Sequence, residues 1–184
     1  MQLGECIEET KSCLAYYLWG KKITICVAGT TGAGKTSFCK AFLEKRVLQK
    51  ERPTIGMKQS KFLKNGIQGT FYDTGGALEY TNIIDFNYRL SNALIFVVDA
   101  SSPEGLHDAK EMLSSLVYRN KHVKIPMLVA CTHNDVEDSE TCQTIALELR
   151  LDSLIGREIS CYSVSSITMS NFGAVEEWVA RHAK

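Results

Sequence analysis

Short apolar runs alternate with segments of helical periodicity along most of the chain. Four almost wholly apolar runs predict strands that are buried on both faces, at residues 22–28, 93–99, 126–131 and 158–163. An apolar residue at every third or fourth position predicts helices at residues 35–46, 104–119, 140–150 and 172–182. This alternation is typical of an α/β fold in which helices cover both faces of a mainly parallel sheet.

A more polar pair of strands interrupts the alternation. Residues 57–64 and 67–72 flank Asn65 and Gly66, a dipeptide that favours the tight turn of a hairpin. A hairpin pairs its strands antiparallel, and polar strands are better placed where they meet solvent. We therefore expect a mixed, mainly parallel sheet of six strands with this hairpin at one edge.

Two of the predicted helices have apolar stripes that should face the sheet. In the helix over 104–119 the stripe consists of Leu106, Ala109, Leu113 and Leu116. In the helix over 172–182 it consists of Phe172, Val175, Trp178 and Val179. Ser101 is predicted to cap the first of these helices, with Glu104 completing a capping box.

The composition is that of one ordinary folded domain. The 184 residues are 45% hydrophobic and 23% charged, which excludes wholesale disorder and a fibrous repeat. Lys plus Arg and Asp plus Glu number 21 each, so the formal net charge is zero. A neutral chain is poorly suited to binding nucleic-acid phosphates, and we expect no nucleic-acid partner.

The seven cysteines show no pattern typical of a disulfide or zinc framework, because none of them forms a CxxC pair. Several lie inside apolar runs, where a thiol behaves as a small hydrophobic group. Such usage favours a reducing compartment. We therefore expect a cytoplasmic protein.

The first 20 residues are a separate part of the predicted organisation. Apolar positions follow helical spacing before Gly20, at Leu3, Ile7, Leu14, Tyr17 and Leu18. We predict an amphipathic helix in residues 1–20 and the main domain in residues 21–184. The polar face of this helix is mainly acidic, whereas helices on anionic lipid prefer basic residues there. Peripheral membrane contact through residues 3–19, or packing on the domain or a partner, both remain open.

Nothing in the sequence predicts insertion into a bilayer. The longest apolar run, residues 93–98, is far shorter than the roughly 20 residues of a spanning helix. Acidic residues near the start argue against a signal peptide. Gln2 stands where myristoylation requires glycine, so we expect no lipid anchor of that kind.

A phosphate-binding loop is the strongest chemical signal. Residues 29–36 fit the pattern GxxxxGK(S/T) and lie between a predicted strand and a predicted helix, which is the context that this motif requires. Glycines let backbone amides curve around phosphates, Lys35 offers a charge to the terminal phosphates, and Thr36 can bind Mg²⁺. The predicted contacts to nucleotide are Gly29, Thr30, Thr31, Gly32, Ala33, Gly34, Lys35, Thr36 and Ser37.

Two downstream motifs narrow the class of nucleotide-binding protein. Residues 53–56, Pro-Thr-Ile-Gly, precede the hairpin, and residues 73–76, Asp-Thr-Gly-Gly, end it. With these motifs the chain resembles the Arf-like small GTPases, whose two switches contain PTxG and WDxGG. The resemblance implies that Thr54 binds Mg²⁺, that Asp73 holds it through water, and that the Gly76 amide contacts the terminal phosphate of GTP.

The resemblance extends over nearly the whole chain and implies its partners. Residues 159–166 look like the branch of Arf-like proteins that positions lysosomes along microtubules. The family implies GTP and GDP with Mg²⁺ as ligands, and protein effectors, an exchange factor and an activating protein as partners. It also implies membrane attachment coupled to nucleotide state, at the lysosome or another endomembrane. We call residues 52–56 the first switch segment and residues 73–85 the second.

The base-recognition motif departs from the family's NKxD. Here it is Thr132-His133-Asn134-Asp135, and only the aspartate is retained. The Asp135 carboxylate can accept hydrogen bonds from N1 and the 2-amino group of guanine, which adenine cannot supply. His133 can stack on the base in place of the lysine, and the Ser166 backbone amide, in the Ser165–Ser166 loop, can meet the guanine carbonyl oxygen. We expect guanine preference with reduced affinity.

The catalytic position departs as well, because Ala77 stands where the family has a water-positioning glutamine. A methyl group cannot orient the attacking water, so unassisted GTP hydrolysis is expected to be slow. A pseudoGTPase or structural subunit with a degenerate or permanently occupied site is the main alternative. A P-loop kinase or ATPase is a further one, although no arginine-rich lid is apparent.

Overall fold

A six-stranded sheet organises the residues that this computed structural model describes, which are 20–45 and 52–184. The strands within these ranges are β1 (Lys21–Ala28), β2 (Met57–Lys64), β3 (Ile67–Thr74), β4 (Ala93–Asp99), β5 (Met127–Thr132) and β6 (Ile159–Ser163). The α-helices are α1 (Lys35–Glu44), α2 (Thr81–Leu90), α3 (Pro103–Arg119), α4 (Cys142–Glu148) and α5 (Phe172–His182). Short 3₁₀ helices occupy Leu78–Tyr80 and Leu151–Ser153.

The sheet has the predicted mixed, mainly parallel topology. Its strand order is β2-β3-β1-β4-β5-β6, and only the β2–β3 pair is antiparallel. Asn65 and Gly66 have φ angles of 52° and 74° at the hairpin turn, as expected for a turn that needs two left-handed residues. The hairpin lies at the edge of the sheet, so the fold predicted from the sequence is confirmed.

Helices cover both faces of the sheet and divide the core in two. Side chains of β1 alternate between the two layers, with Ile25 packed on one side and Cys26 on the other. The predicted stripes of α3 and α5 are buried, and Trp178 is fully enclosed. The predicted helix in residues 3–19 lies outside the described residues. Among the helices of the described ranges, none combines the length and apolarity that crossing a bilayer would need.

The cap of α3 is Ser102, not Ser101 as predicted. The Ser102 hydroxyl accepts a hydrogen bond from the Gly105 amide at 3.1 Å. Pro103 is the first helical residue, a position that proline favours, and this places the cap one residue before it. Ser101 instead donates to Asp99 Oδ1, from its amide at 2.9 Å and from its hydroxyl at 2.6 Å.

The sequence pattern missed α2, because its apolar residues do not form one stripe. Ile84 and Tyr88 are buried, but Asp85 and Asn87 are buried with them. Apolar residues also occupy the exposed side, where Phe86 is 62% exposed. The buried Asp85 carboxylate is satisfied by two hydrogen bonds from Arg119 and one from Asn120. Tertiary pairing of this kind makes a polar residue acceptable in the core, and periodicity does not show it.

Candidate nucleotide-binding site

A cavity of about 790 Å³ opens at the carboxyl ends of the strands. Ligands of α/β proteins commonly bind at this edge of the sheet. The predicted site residues that line it are Thr31, Gly32, Gly34, Lys35, Thr36, Ser37, Thr54, Gly76, Thr132, His133, Asp135 and Ser166. The other predicted site residues do not line it: Gly29, Thr30, Ala33, Asp73 and Ser165. The fold thus collects residues from five separate loops around one space.

The phosphate-binding loop joins β1 to α1 along a path that needs glycine. Gly32 and Gly34 have φ angles of 85° and 83°, a region that other residues rarely adopt. A Cβ atom at Gly29 would lie 2.2 Å from the Val97 carbonyl oxygen. The backbone can therefore curve closely against β4 just before α1 begins, as a cradle of amides for phosphate requires.

Lys35 is held inside this loop. Its Nζ donates hydrogen bonds to the carbonyl oxygens of Gly29 at 2.9 Å and Thr30 at 2.7 Å. Burial lowers the pKa of Lys35 to about 8, although the charge of Asp73 acts in the opposite direction. A phosphate group near the ammonium would favour its charged form. The loop thus orients a buried cation whose chemistry suits an anionic ligand.

Three oxygen-bearing side chains meet beside the loop. The Thr36 hydroxyl donates to Asp73 Oδ2 at 2.7 Å. The hydroxyl oxygens of Thr36 and Thr54 are also 2.7 Å apart. These residues come from the start of α1, the first switch segment and the end of β3, so only folding unites them. Mg²⁺ prefers oxygen ligands of this kind, and the donor set therefore fits the predicted metal site.

The two switch segments contact each other and the phosphate-binding loop. The Gly75 amide donates to the Gly56 carbonyl oxygen at 2.8 Å. A Cβ atom at Gly75 would lie 2.5 Å from the Thr54 carbonyl oxygen, and one at Gly76 would lie 2.4 Å from the Thr31 amide nitrogen. Only glycine permits such close approach. The pair Gly75–Gly76 therefore brings the second switch segment against both neighbours.

Thr132, the first residue of the Thr132–Asp135 motif, contacts the protein backbone through its side chain. Its buried hydroxyl lies 2.9 Å from the Ala33 carbonyl oxygen and 3.0 Å from that of Val98. Thr132 therefore joins the end of β5 to the phosphate-binding loop and to β4. Asp135 is exposed at the cavity wall, where its carboxylate is accessible to a ligand.

Asp99 is a residue of this region that the sequence analysis missed. Its Oδ1 lies 2.9 Å from His133 Nδ1, and Asp99 is the register partner of Thr132 across β4 and β5. This contact helps to hold the imidazole at the cavity wall. The backbone of His133 is left-handed, with φ of 59°. The sequence feature that could have identified Asp99 is its place at the carboxyl end of a predicted central strand, where ligand-binding residues commonly lie.

A turn centred on Ser165 shapes the loop after β6. The buried Ser165 hydroxyl accepts hydrogen bonds from the amides of Ile167 at 3.2 Å and Thr168 at 3.1 Å. Ser165 thus shapes the loop, whereas Ser166 and Ile167 line the cavity. Other lining residues absent from the predicted site are Arg52, Pro53, Ile55, Gly75 and Tyr80.

Ala77 lines the cavity directly after the Gly75–Gly76 pair. Its methyl group supplies no hydrogen-bond donor or acceptor at the position where a catalytic side chain is expected. The arrangement thus has the features of a binding site for a phosphorylated ligand and Mg²⁺, with an apolar side chain at residue 77.

Comparisons with known proteins agree with this geometry. The chain is 26% identical over 164 residues to ADP-ribosylation factor-like protein 8b of Arabidopsis thaliana, covering 89% of both chains. It is 24% identical over the same length to ADP-ribosylation factor-like protein 8c of that plant. The fold is similar to that of the Trypanosoma brucei Arl6 BBS3 small GTPase, solved with the nucleotide analogue GppNp. The TM-score is 0.77 at 20% identity, over 87% of this chain and 96% of the other.

The sequence profile of the ADP-ribosylation factor family matches residues 10–183. This match includes the phosphate-binding loop, both switch segments and the altered base-recognition motif. The resemblance inferred from the motifs is therefore confirmed, and the chain belongs to the ADP-ribosylation factor family as an Arf-like small GTPase.

Proposed function

We propose that this protein is a guanine-nucleotide switch in which bound GTP and Mg²⁺ order the two switch segments into a surface for effectors. The observation that supports the proposal is the contact of Thr36 with both Thr54 and Asp73. The Thr36 hydroxyl oxygen lies 2.7 Å from the Thr54 hydroxyl oxygen and 2.7 Å from Asp73 Oδ2. Thr54 belongs to the first switch segment, and Asp73 begins the second. A ligand at this point would therefore act on both segments at once.

The residues of the proposed site divide its tasks among them. Lys35 neutralises phosphate charge, and the glycine-rich loop supplies backbone amides to it. Thr36, Thr54 and Asp73 would hold Mg²⁺, which supplies further positive charge beside the phosphates when bound. Thr54 and Gly76, one from each switch segment, both line the cavity. Their positions make them the contacts that would sense the terminal phosphate.

Guanine selection is assigned to Asp135. Its carboxylate can accept from two donors on the edge of guanine, whereas adenine has an acceptor at N1 and no 2-amino group. A hydrogen bond to a charged group contributes about 1.5–3 kcal/mol, against about 0.5–1.5 kcal/mol for a neutral one. Loss of the family's asparagine and lysine is therefore expected to reduce affinity without removing the preference for guanine.

The nucleotide carried by the full-length purified protein tests this proposal. We expect denaturation to release GDP or GTP, identified by chromatography. We also expect GTP with Mg²⁺ to raise the melting temperature more than ATP with Mg²⁺, because a ligand that binds only the folded state stabilises it. Recovery of adenine nucleotide would contradict the base assignment. An empty protein that GTP and Mg²⁺ fail to stabilise would contradict nucleotide binding.

Hydrolysis is expected to be slow, and the Ala77→Gln variant should accelerate it by about tenfold to a hundredfold. A preorganised hydrogen-bonding group that acts in the transition state contributes about 10²–10³ in rate, and a restored group is expected to recover part of that. Single-turnover release of phosphate from GTP measures the change. Ala77→Leu is the matched control because leucine has similar size and no amide. An equal acceleration in both variants, or none in Ala77→Gln, would argue against a water-positioning role.

The second candidate function is a pseudoGTPase or structural subunit that does not cycle between nucleotide states. The apolar Ala77 and the structural position of Thr132 favour it. Turnover with excess GTP, Mg²⁺ and candidate activating proteins separates the two functions. Phosphate release under any of these conditions supports the switch, and its complete absence supports the non-cycling subunit.

The proposed setting is the cytoplasmic side of a membrane. It rests on the family, whose members commonly attach peripherally, and on the predicted amphipathic helix in residues 3–19. We include an exchange factor and an activating protein among the proposed partners, with the lysosome or another endomembrane as the site of action. The division into residues 1–20 and 21–184 belongs to the same proposal.

A further inference from the structure

Three cysteines from separate elements converge behind the base-recognition loop. Cys131 is in β5, Cys142 is the first residue of α4, and Cys161 is in β6. The Cys131 sulfur lies 3.5 Å from the Cys161 sulfur and 3.7 Å from the Cys142 sulfur. All three sulfur atoms lie within 4.8 Å of one another. No sequence motif indicates this cluster, because the three residues are far apart along the chain.

The sulfur separations match those around a thiolate-bound metal. A Zn–S bond of about 2.3 Å in tetrahedral geometry places sulfur atoms about 3.8 Å apart. The two measured contacts, 3.5 and 3.7 Å, are close to this value. The third pair closes a triangle within 4.8 Å. A cation could therefore bind with small side-chain adjustments and no rearrangement of the strands.

The surroundings offer a nearby oxygen atom and a route of entry. The Ser163 hydroxyl oxygen lies 3.0 Å from the Cys142 sulfur. Cys131 is buried, whereas Cys142 and Cys161 are partly exposed, so a cation can approach from their side. Thiolates are the metal-binding form of cysteine, so a bound cation would displace the thiol protons of the cluster.

We propose that Cys131, Cys142 and Cys161 form a binding site for a thiophilic d¹⁰ cation, represented by Zn²⁺. The fourth ligand is an oxygen atom, from Ser163 or water. Thiolate ligands select soft and borderline cations over Mg²⁺, so the site is chemically distinct from the threonine and aspartate site beside the phosphate-binding loop. Binding replaces thiol protons, which pass to solvent, and transfers no electrons.

A cation at this site would connect the two ends of the segment between β5 and α4. Cys131 immediately precedes the base-recognition motif, and Cys142 follows it at the start of α4. A cation bound to both would fix the two ends of the segment that carries His133 and Asp135. This inference stands on the cysteine geometry and does not depend on the proposed nucleotide function.

Metal binding is tested with the reduced full-length chain carrying Cys6→Ser and Cys13→Ser, so that those two thiols cannot contribute. Zn²⁺ is titrated against a chromophoric chelator in excess Mg²⁺. We expect one Zn²⁺ per chain and a higher melting temperature. Co²⁺ in place of Zn²⁺ should show thiolate-to-metal charge transfer and the visible bands of tetrahedral coordination.

Single substitutions locate the site. We expect Cys142→Ala and Cys161→Ala each to weaken Zn²⁺ binding by at least about tenfold and to remove the Co²⁺ charge-transfer signal in part, since each deletes one thiolate ligand. Cys39→Ala is the matched control, because Cys39 is buried in the other core layer, and it should leave binding unchanged. The proposal would be overturned if Zn²⁺ did not bind, or if it bound as well to Cys142→Ala and to Cys161→Ala as to the chain that keeps all three cysteines. It would also be overturned by a disulfide among the three cysteines in protein purified under reducing conditions.

Discussion

The Lys35→Met variant is expected to bind GTP and GDP roughly 30-fold to several thousandfold more weakly than the wild-type chain. Truncating one partner of a buried, hydrogen-bonded charge pair costs about 2–5 kcal/mol, and about 1.4 kcal/mol corresponds to a tenfold change in affinity. Lys35 is 6% exposed, so water would screen its attraction for phosphate only weakly. Equilibrium titration with a fluorescent guanine nucleotide measures the loss.

Methionine keeps the apolar stem of Lys35 and removes the ammonium. The loss of its two hydrogen bonds to the Gly29 and Thr30 carbonyl oxygens is offset by removal of a buried charge, so the variant should remain folded. Thermal unfolding without nucleotide checks this. Lys61→Met is the matched control, because Lys61 is exposed on the hairpin away from the cavity. Unchanged affinity in Lys35→Met, or an equal loss in Lys61→Met, would contradict the assignment of the phosphate site.

The Asp135→Ala variant is expected to lose at least about a hundredfold of its preference for GTP over ATP. Two hydrogen bonds to a charged group contribute about 3–6 kcal/mol, and we take the lower value because Asp135 is exposed at the cavity wall. About 3 kcal/mol corresponds to somewhat more than a hundredfold. Dissociation constants for GTP and ATP in both proteins measure the change, which should arise almost entirely from weaker GTP binding.

The neighbouring acid Glu137 provides the control for this experiment. Glu137 is exposed in the same loop and does not line the cavity. Glu137→Ala removes one negative charge close to the site, so it reports the effect of net charge on both nucleotides. The base assignment fails if Glu137→Ala lowers the preference as much as Asp135→Ala does, or if Asp135→Ala weakens ATP and GTP equally.

Most of the fold could be predicted from local patterns in the sequence. The apolar runs of β1, β4, β5 and β6 and the turn at Asn65 and Gly66 predicted the mixed sheet, because burial and turn geometry act on neighbouring residues. The phosphate-binding loop was equally visible, since its glycines and Lys35 are adjacent in sequence. The helix α2 was not visible, because its buried Asp85 is satisfied by Arg119, at the end of α3, and by Asn120, which follows it.

The features that the sequence did not predict depend on contacts between residues that are distant along the chain. The pairing of Asp99 with His133, the tether from Thr132 to Ala33, and the cluster of Cys131, Cys142 and Cys161 each join different loops or strands. The sequence specifies which chemical groups are present and which local elements they form, because those depend on spacing along the chain. Only the packed sheet brings these groups within bonding distance, because strand order and register determine which loop ends meet.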